Sequence, residues 1–249
     1  MQKRHEWIES PQLERRIHLW CYGSYGSPVL VFPSAAGMAH EWEMQGMIDV
    51  LAPMLDAGEI KLYCPESNVG ETWTAKGDDP RRRIALHMAY ECFVVDTLVP
   101  LIREDCRTLD IRLGVTGCSV GAFFAANAAL KHPEIFHYAL CMSGLYDASD
   151  FTGGFSNDDL YFNNPLAYPA HLEGAALERV RSNTHLALVC GRGAFEDGNV
   201  EQTEALARIL SSKGISNELD LWGLDTDHGW DSWKKQAQYH LGKTFAGRG

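Results

Sequence analysis

Residues 113–127 read Leu-Gly-Val-Thr-Gly-Cys-Ser-Val-Gly-Ala-Phe-Phe-Ala-Ala-Asn. The first residues are a short apolar strand pattern, and the last eight are a helix of small and apolar residues. Between them Gly117-Cys118-Ser119-Val120-Gly121 has the spacing G-x-S-x-G. A strand that turns into a helix over so few residues leaves no room for side chains two positions either side of the turn residue. That residue is held in a strained backbone conformation. The return is a serine hydroxyl exposed at the C-terminal edge of a sheet, with the N-terminus of a helix directed at it. Cys118, one residue earlier, faces away from that edge and reads as a packed thiol.

Working outward, short apolar runs alternate with longer helical patterns. Residues 12–21 alternate in part and predict an antiparallel starting strand. Strands are expected at 28–32, 60–64, 113–116, 138–142, 186–190 and 216–222. Helices are expected at 47–55, 79–106 with an interruption near Pro100, 120–130, from Asn199 to a stop at Gly214, and 230–245. This order predicts an α/β fold: a mostly parallel central sheet with helices on both faces and antiparallel N-terminal strands. At 249 residues, with no linker or repeat, the chain reads as a single domain over 1–249. Residues 143–170 carry few regular signals and many Asp, Asn, Gly and aromatic residues. Connections of that length are usually functional, and a cap-like insertion is expected at about 143–180.

Composition narrows the partners. Hydrophobic residues are 45% and charged residues 22%, which excludes disordered and fibrous classes. The formal charge of −11 argues against nucleic acid. No run approaches 18 consecutive apolar residues, so no membrane span is expected. The charged start Met1-Gln-Lys-Arg-His-Glu6 does not read as a secretion signal. Seven scattered cysteines without C-x-x-C predict free thiols and a cytoplasmic location rather than a zinc site. No H-E-x-x-H, Walker loop or G-x-G-x-x-G is present, so neither metal nor cofactor is expected. Composition leaves a homo-oligomer open.

A serine needs a base in reach. His228, in the loop Gly223-Leu-Asp-Thr-Asp-His-Gly-Trp230 after the last strand, has the right place in chain order. The orienting carboxylate should follow the strand ending near Cys190, where Glu196 and Asp197 are adjacent. Glu196 is preferred, because Asp197-Gly198-Asn199 looks like turn and cap chemistry; Asp197 is the alternative. Two backbone donors are needed for an oxyanion. Val120 N–H is one. The small-residue loop Pro33-Ser-Ala-Ala-Gly37 offers Ala35 as the other, with Ala36 beside it. Trp42, Trp73, Phe155 and Trp230 stand among the rings expected around a substrate pocket.

Phe-Pro-Ser-Ala-Ala-Gly at 32–37, Gly-Cys-Ser-Val-Gly-Ala at 117–122, Phe-Glu-Asp at 195–197, Lys-Gly-Ile at 213–215 and Asp-His-Gly-Trp at 227–230 resemble the esterase D type, or "putative esterase", group of α/β-hydrolases. Feruloyl esterases, S-formylglutathione hydrolases, siderophore esterases and mycolyltransferases share that broad group. The resemblance covers nearly the whole chain and implies an α/β-hydrolase fold. It implies Ser119 as nucleophile, His228 as base and Glu196 as acid, with Ala35 and Val120 forming the oxyanion hole. The chain departs from the pattern at Pro33-Ser34, where His-Gly is more usual, and at Ala122, where a further glycine is common. The expected activity is cleavage of a small-molecule carboxylic ester through an acyl-enzyme. The alternatives are acyl transfer to an alcohol and a non-catalytic binding protein on the same scaffold.

Overall fold

In a computed structural model, which describes residues 1–247, eight strands form one sheet in the order β1-β2-β4-β3-β5-β6-β7-β8. They are β1 Lys3–Ser10, β2 Arg15–Tyr22, β3 Ser27–Phe32, β4 Ile60–Pro65, β5 Leu113–Cys118, β6 Phe136–Met142, β7 His185–Cys190 and β8 Asn217–Leu221. β1 pairs antiparallel with β2, and β2 antiparallel with β4; every later pairing is parallel. The helices are α1 Glu41–Met44, α2 Met47–Asp56, α3 Pro80–Phe93, α4 Val99–Asp105, α5 Val120–Lys131, α6 Ala148–Thr152, α7 Asp158–Tyr161, α8 Gly174–Asn183, α9 Asp197–Ser212 and α10 Trp230–Phe245.

Period-two alternation in the central strands divides the core into two layers. Leu30, Phe32, Leu113, Val115, Ala139, Cys141, Leu186 and Leu188 face α3, α4, α5 and α9. Val29, Val31, Cys118, Tyr138, Leu140, Met142, Ala187 and Val189 face α2 and α10. A strand covered on both faces needs apolar residues at every position, which is why these runs are continuous rather than alternating polar and apolar.

The expected antiparallel N-terminal strands are a hairpin, of which the pattern at 12–21 marks β2 but not β1. β1 reads Lys-Arg-His-Glu-Trp-Ile-Glu-Ser, polar at most positions because it is an edge strand with an open face. Its outward rings are held by cross-strand partners: His5 stacks on Trp20 at 4.5 Å, and Trp7 meets His18 at 3.7 Å.

The interruption expected near Pro100 is a π-helical segment, Val94–Leu98, joining α3 to α4. A proline at 100 has no N–H for the preceding turn, and the wider turn absorbs the mismatch. The joined stretch Pro80–Asp105 is 26 residues long and apolar enough by length and composition to cross a bilayer. Ile84, Tyr90, Phe93, Val94, Leu98 and Ile102 on this helix lie in the core layer against the sheet.

The segment 143–183 is more regular than its sequence suggests. It holds α6, α7, a 3₁₀ turn at Tyr168–His171 and α8. Tyr146, Ala148, Leu160, Tyr168, Leu177 and Val180 join the α3–α5–α9 core layer. The buried Arg83 guanidinium ties it to the body, donating to the carbonyls of Thr72, Trp73 and Phe151.

Candidate active site

Ser119 sits between β5 and α5 with φ 55° and ψ −124°, a conformation rare for any residue with a side chain. Its N–H donates to Met142 O at 2.8 Å, and its C=O accepts from Ala122 N–H at 2.9 Å. The flanking glycines are required by contact. A Cβ at Gly117 would lie 2.4 Å from the Gly121 carbonyl, and one at Gly121 would lie 2.5 Å from Phe32 O. Cys118 points into the α2–α10 layer, fully buried, and burial pushes its thiol well above the ordinary range. It is a neutral packing group.

His228 Nε2 lies 3.2 Å from Ser119 Oγ, and His228 Nδ1 lies 3.0 Å from Glu196 Oε2. Three residues separated by 77 and 32 positions of chain therefore meet at the C-terminal edge of β5, β7 and β8. Glu196 is 0% exposed. Asp197, the alternative acid, is the exposed first residue of α9. One carboxylate points into the protein and its neighbour points out, as expected for adjacent residues at a helix start.

Two loops hold His228. Gly193 N–H donates to Thr226 O at 2.9 Å, and His228 N–H donates to Ala194 O at 3.0 Å. Asp227 Oδ1 accepts the Ala194 N–H at 2.7 Å. Asp227 thereby pins the loop that leads to Glu196. A Cβ at Gly193 would stand 2.2 Å from that same oxygen, so the glycine is what lets the loops close together.

The loop after β3 is pinned by a residue the sequence did not single out. The buried Glu41 carboxylate accepts from Ser34 N–H at 2.6 Å and from the Ser34 hydroxyl. Burial pushes the Glu41 carboxyl up, against the lowering effect of those two bonds. Gly37, at φ 73°, closes the turn and gives its carbonyl to Ser67 N–H at 2.9 Å. Ala35 and Ala36 are exposed beyond this anchor. Among the described residues the amides of Ala35 and Val120 donate to no protein acceptor.

The expected pocket rings separate. Trp42 and Trp73 are each 2% exposed and belong to opposite core layers. Trp73 packs edge-on to Phe123 at 4.9 Å and donates to His87 Nδ1 at 3.2 Å. Both are core groups, because their size is used to fill space between sheet and helices. Phe155 is half-buried under the Arg81 guanidinium, at 5.2 Å. Trp230 is half-buried edge-on to Trp233 at 5.2 Å. Trp233 in turn meets the His228 ring edge-on at 4.9 Å. Among the described residues no group of three or more His, Cys, Asp or Glu is arranged to hold a metal ion.

The family described as "Putative esterase" matches residues 10–243. The chain belongs to that family. No curated protein matches it in sequence. Solved structures share the fold at low identity. A ferulic acid esterase superposes with a TM-score of 0.75 at 18% identity, over 98% of this chain and 97% of that one. An S-formylglutathione hydrolase from Staphylococcus aureus gives 0.73 at 11%, over 98% and 100%. MPT51 (FbpC1) of Mycobacterium tuberculosis gives 0.66 at 16%, over 98% and 97%. Family and fold together place the chain among the α/β-hydrolases of the esterase type.

Proposed function

We propose that this esterase-family protein is a serine hydrolase that cleaves a small-molecule carboxylic ester through an acyl-enzyme on Ser119. The observation that carries the reading is the hydrogen-bonded series Ser119–His228–Glu196 built on a strained strand-to-helix turn. His228 Nε2 takes the hydroxyl proton as Oγ attacks the ester carbonyl, and Glu196 stabilises the imidazolium that forms. Val120 N–H and Ala35 N–H receive the negative charge that develops on the carbonyl oxygen. His228 then returns its proton to the departing alcohol. Water, activated by the same nitrogen, resolves the acyl-enzyme. Water as acceptor is favoured over an alcohol because the His228 side chain is 21% exposed, so solvent reaches the base directly.

The test is labelling with a fluorophosphonate, followed by peptide mapping and turnover of p-nitrophenyl esters of increasing acyl length. Phosphonylation at Ser119 with turnover of at least one ester is the expected result. Labelling elsewhere, or a complete absence of both, would overturn the proposal.

A further inference from the structure

Ser143 immediately follows β6 and is 0% exposed, with a left-handed backbone at φ 52°. A non-glycine residue held there signals that its surroundings over-determine it. Three bonds do so. Ser143 N–H donates to Val189 O at 2.8 Å, Ser143 O accepts from Asn199 Nδ2 at 2.7 Å, and Ser143 Oγ accepts from Trp233 Nε1 at 3.0 Å. The hydroxyl in turn bonds Glu196 Oε1. The other carboxylate oxygen, Oε2, receives His228 Nδ1 at 3.0 Å and the Cys190 thiol at 3.5 Å.

The direction of these bonds is fixed from one end. An indole N–H can only donate, so Ser143 Oγ must accept there. A serine hydroxyl has one proton, and that proton is left for Glu196. With Oε1 occupied by a donor, the second oxygen is turned to the histidine. As an acceptor it takes the Nδ1–H of His228, the tautomer in which Nε2 presents its lone pair to Ser119 Oγ.

We propose that Ser143 and Trp233 are positioning residues: the buried relay Trp233 Nε1–H to Ser143 Oγ–H to Glu196 orients the acid and thereby selects the reactive tautomer of His228. The inference rests on the reading of Ser119, His228 and Glu196 as the reacting set. Ser143 acts through Glu196, and Trp233 acts through Ser143 and through its edge-on contact with the His228 ring.

The experiment compares Ser143→Ala, Ser143→Gly and Trp233→Phe by steady-state kinetics over pH 5–9 with an ester the wild type turns over. Ser143→Gly is included because glycine accepts φ 52° without strain, so the hydroxyl is lost without a folding penalty from the backbone. Trp233→Phe keeps a ring against His228 and removes only the donor. Both Ser143 variants are expected to lose about 10–100-fold in kcat with KM within twofold, and to displace the acid limb of the kcat/KM profile. Trp233→Phe should lose less. Adding it to Ser143→Ala should cost nothing further, because the orphaned indole donor is removed with it. Wild-type kcat and an unmoved pH profile in a folded Ser143→Gly would overturn the relay, as would losses in the double variant that multiply. Fluorophosphonate labelling of the wild type separates the two levels. Labelling at Ser119 with an unaffected Ser143→Gly rejects the relay alone, and labelling elsewhere rejects the set on which it stands.

Discussion

Ser119 stores strain that only its hydroxyl justifies. Ser119→Ala should lower ester turnover by about a thousandfold or more, the oxyanion donors leaving a residual rate. Ser119→Gly should be equally inactive but more stable. Relief of φ 55° and ψ −124° is worth about 1–3 kcal/mol, roughly 2–12 °C in Tm at this chain length. A Ser119→Gly protein that melts below wild type would mean the turn is relaxed. Asp227→Ala should lower kcat by about tenfold while leaving the fold intact, because it frees the Ala194 amide and loosens the loop that carries Glu196. Equal kcat in that variant would show that the backbone pairings of the two loops suffice. The three side chains that meet, Ser119, Glu196 and His228, were legible in the sequence because chain order and local turn chemistry single them out. Those that hold them were not. Ser143, Glu41 and Trp233 act through contacts across 53, 7 and 90 positions, and although the first two reach Glu196 and Ser34, which the sequence had named, no local pattern marks the residue that does the holding.

At the scale of elements, α3 and α5 are joined by a polar network beneath α7. Glu91 bonds Lys131 and lies 2.6 Å from His132 Nε2; Lys131 Nζ and Asn127 Nδ2 both donate to Asn163 Oδ1, at 2.8 and 3.0 Å. Burial pushes the Glu91 carboxyl up, but His132 and Lys131 more than offset it and bring it down to about 2. Burial takes His87, on the same helix, down to about 4. Both folded values lie below their ordinary ones, so the folded protein binds fewer protons than the unfolded chain, and stability falls as pH falls. The His87 contribution is lost between about 6.5 and 4, and the Glu91 contribution between about 4.5 and 2. Glu91→Gln should cost roughly 1–3 kcal/mol at neutral pH, and its Tm should converge on wild type as pH drops from 4.5 towards 2. Parallel melting curves across that window would be incompatible with an ionised Glu91 in the network. Elements of this kind are legible where a pattern is long and one-sided. The helix at 230–245 and the strands covered on both faces have such patterns. β1 does not, because its open face carries charge and its rings are paid for by partners on β2. α8 was missed although Leu177 and Val180 stand one turn apart, since two buried positions in ten residues make a faint stripe.

For the whole molecule, the open matter is what the segment 143–183 contributes to the substrate. Its first residue, Ser143, touches Glu196, and Tyr146 and Asp147 donate their amides to Gln202 of α9 at 2.5 and 2.8 Å. Further along, Phe151 lies 5.6 Å from the Trp73 ring and 5.7 Å from Phe123. These contacts fix the segment to the body, and its rings divide into two groups with different expected effects. Phe151 is wedged between core rings, and Phe151→Ala should lower stability by about 2–4 kcal/mol with the acyl-length preference unchanged. Phe155 is half-buried beside Gly153 and Gly154, both at positive φ with open space at the missing Cβ, and its ring has a cation rather than core on one face. Phe155→Ala should therefore cost little in Tm. If the segment walls the site as a cap, that variant should shift the preference among p-nitrophenyl esters, since one apolar contact to the acyl chain is worth about 1–3 kcal/mol in transition-state binding. The measurement is the ratio of kcat/KM between short and long acyl chains in each variant, with Tm alongside. An unchanged ratio in Phe155→Ala would exclude this ring from the pocket and move the search for the acyl wall to the exposed loop at Ala35 and Ala36 and to Trp230 beside the base.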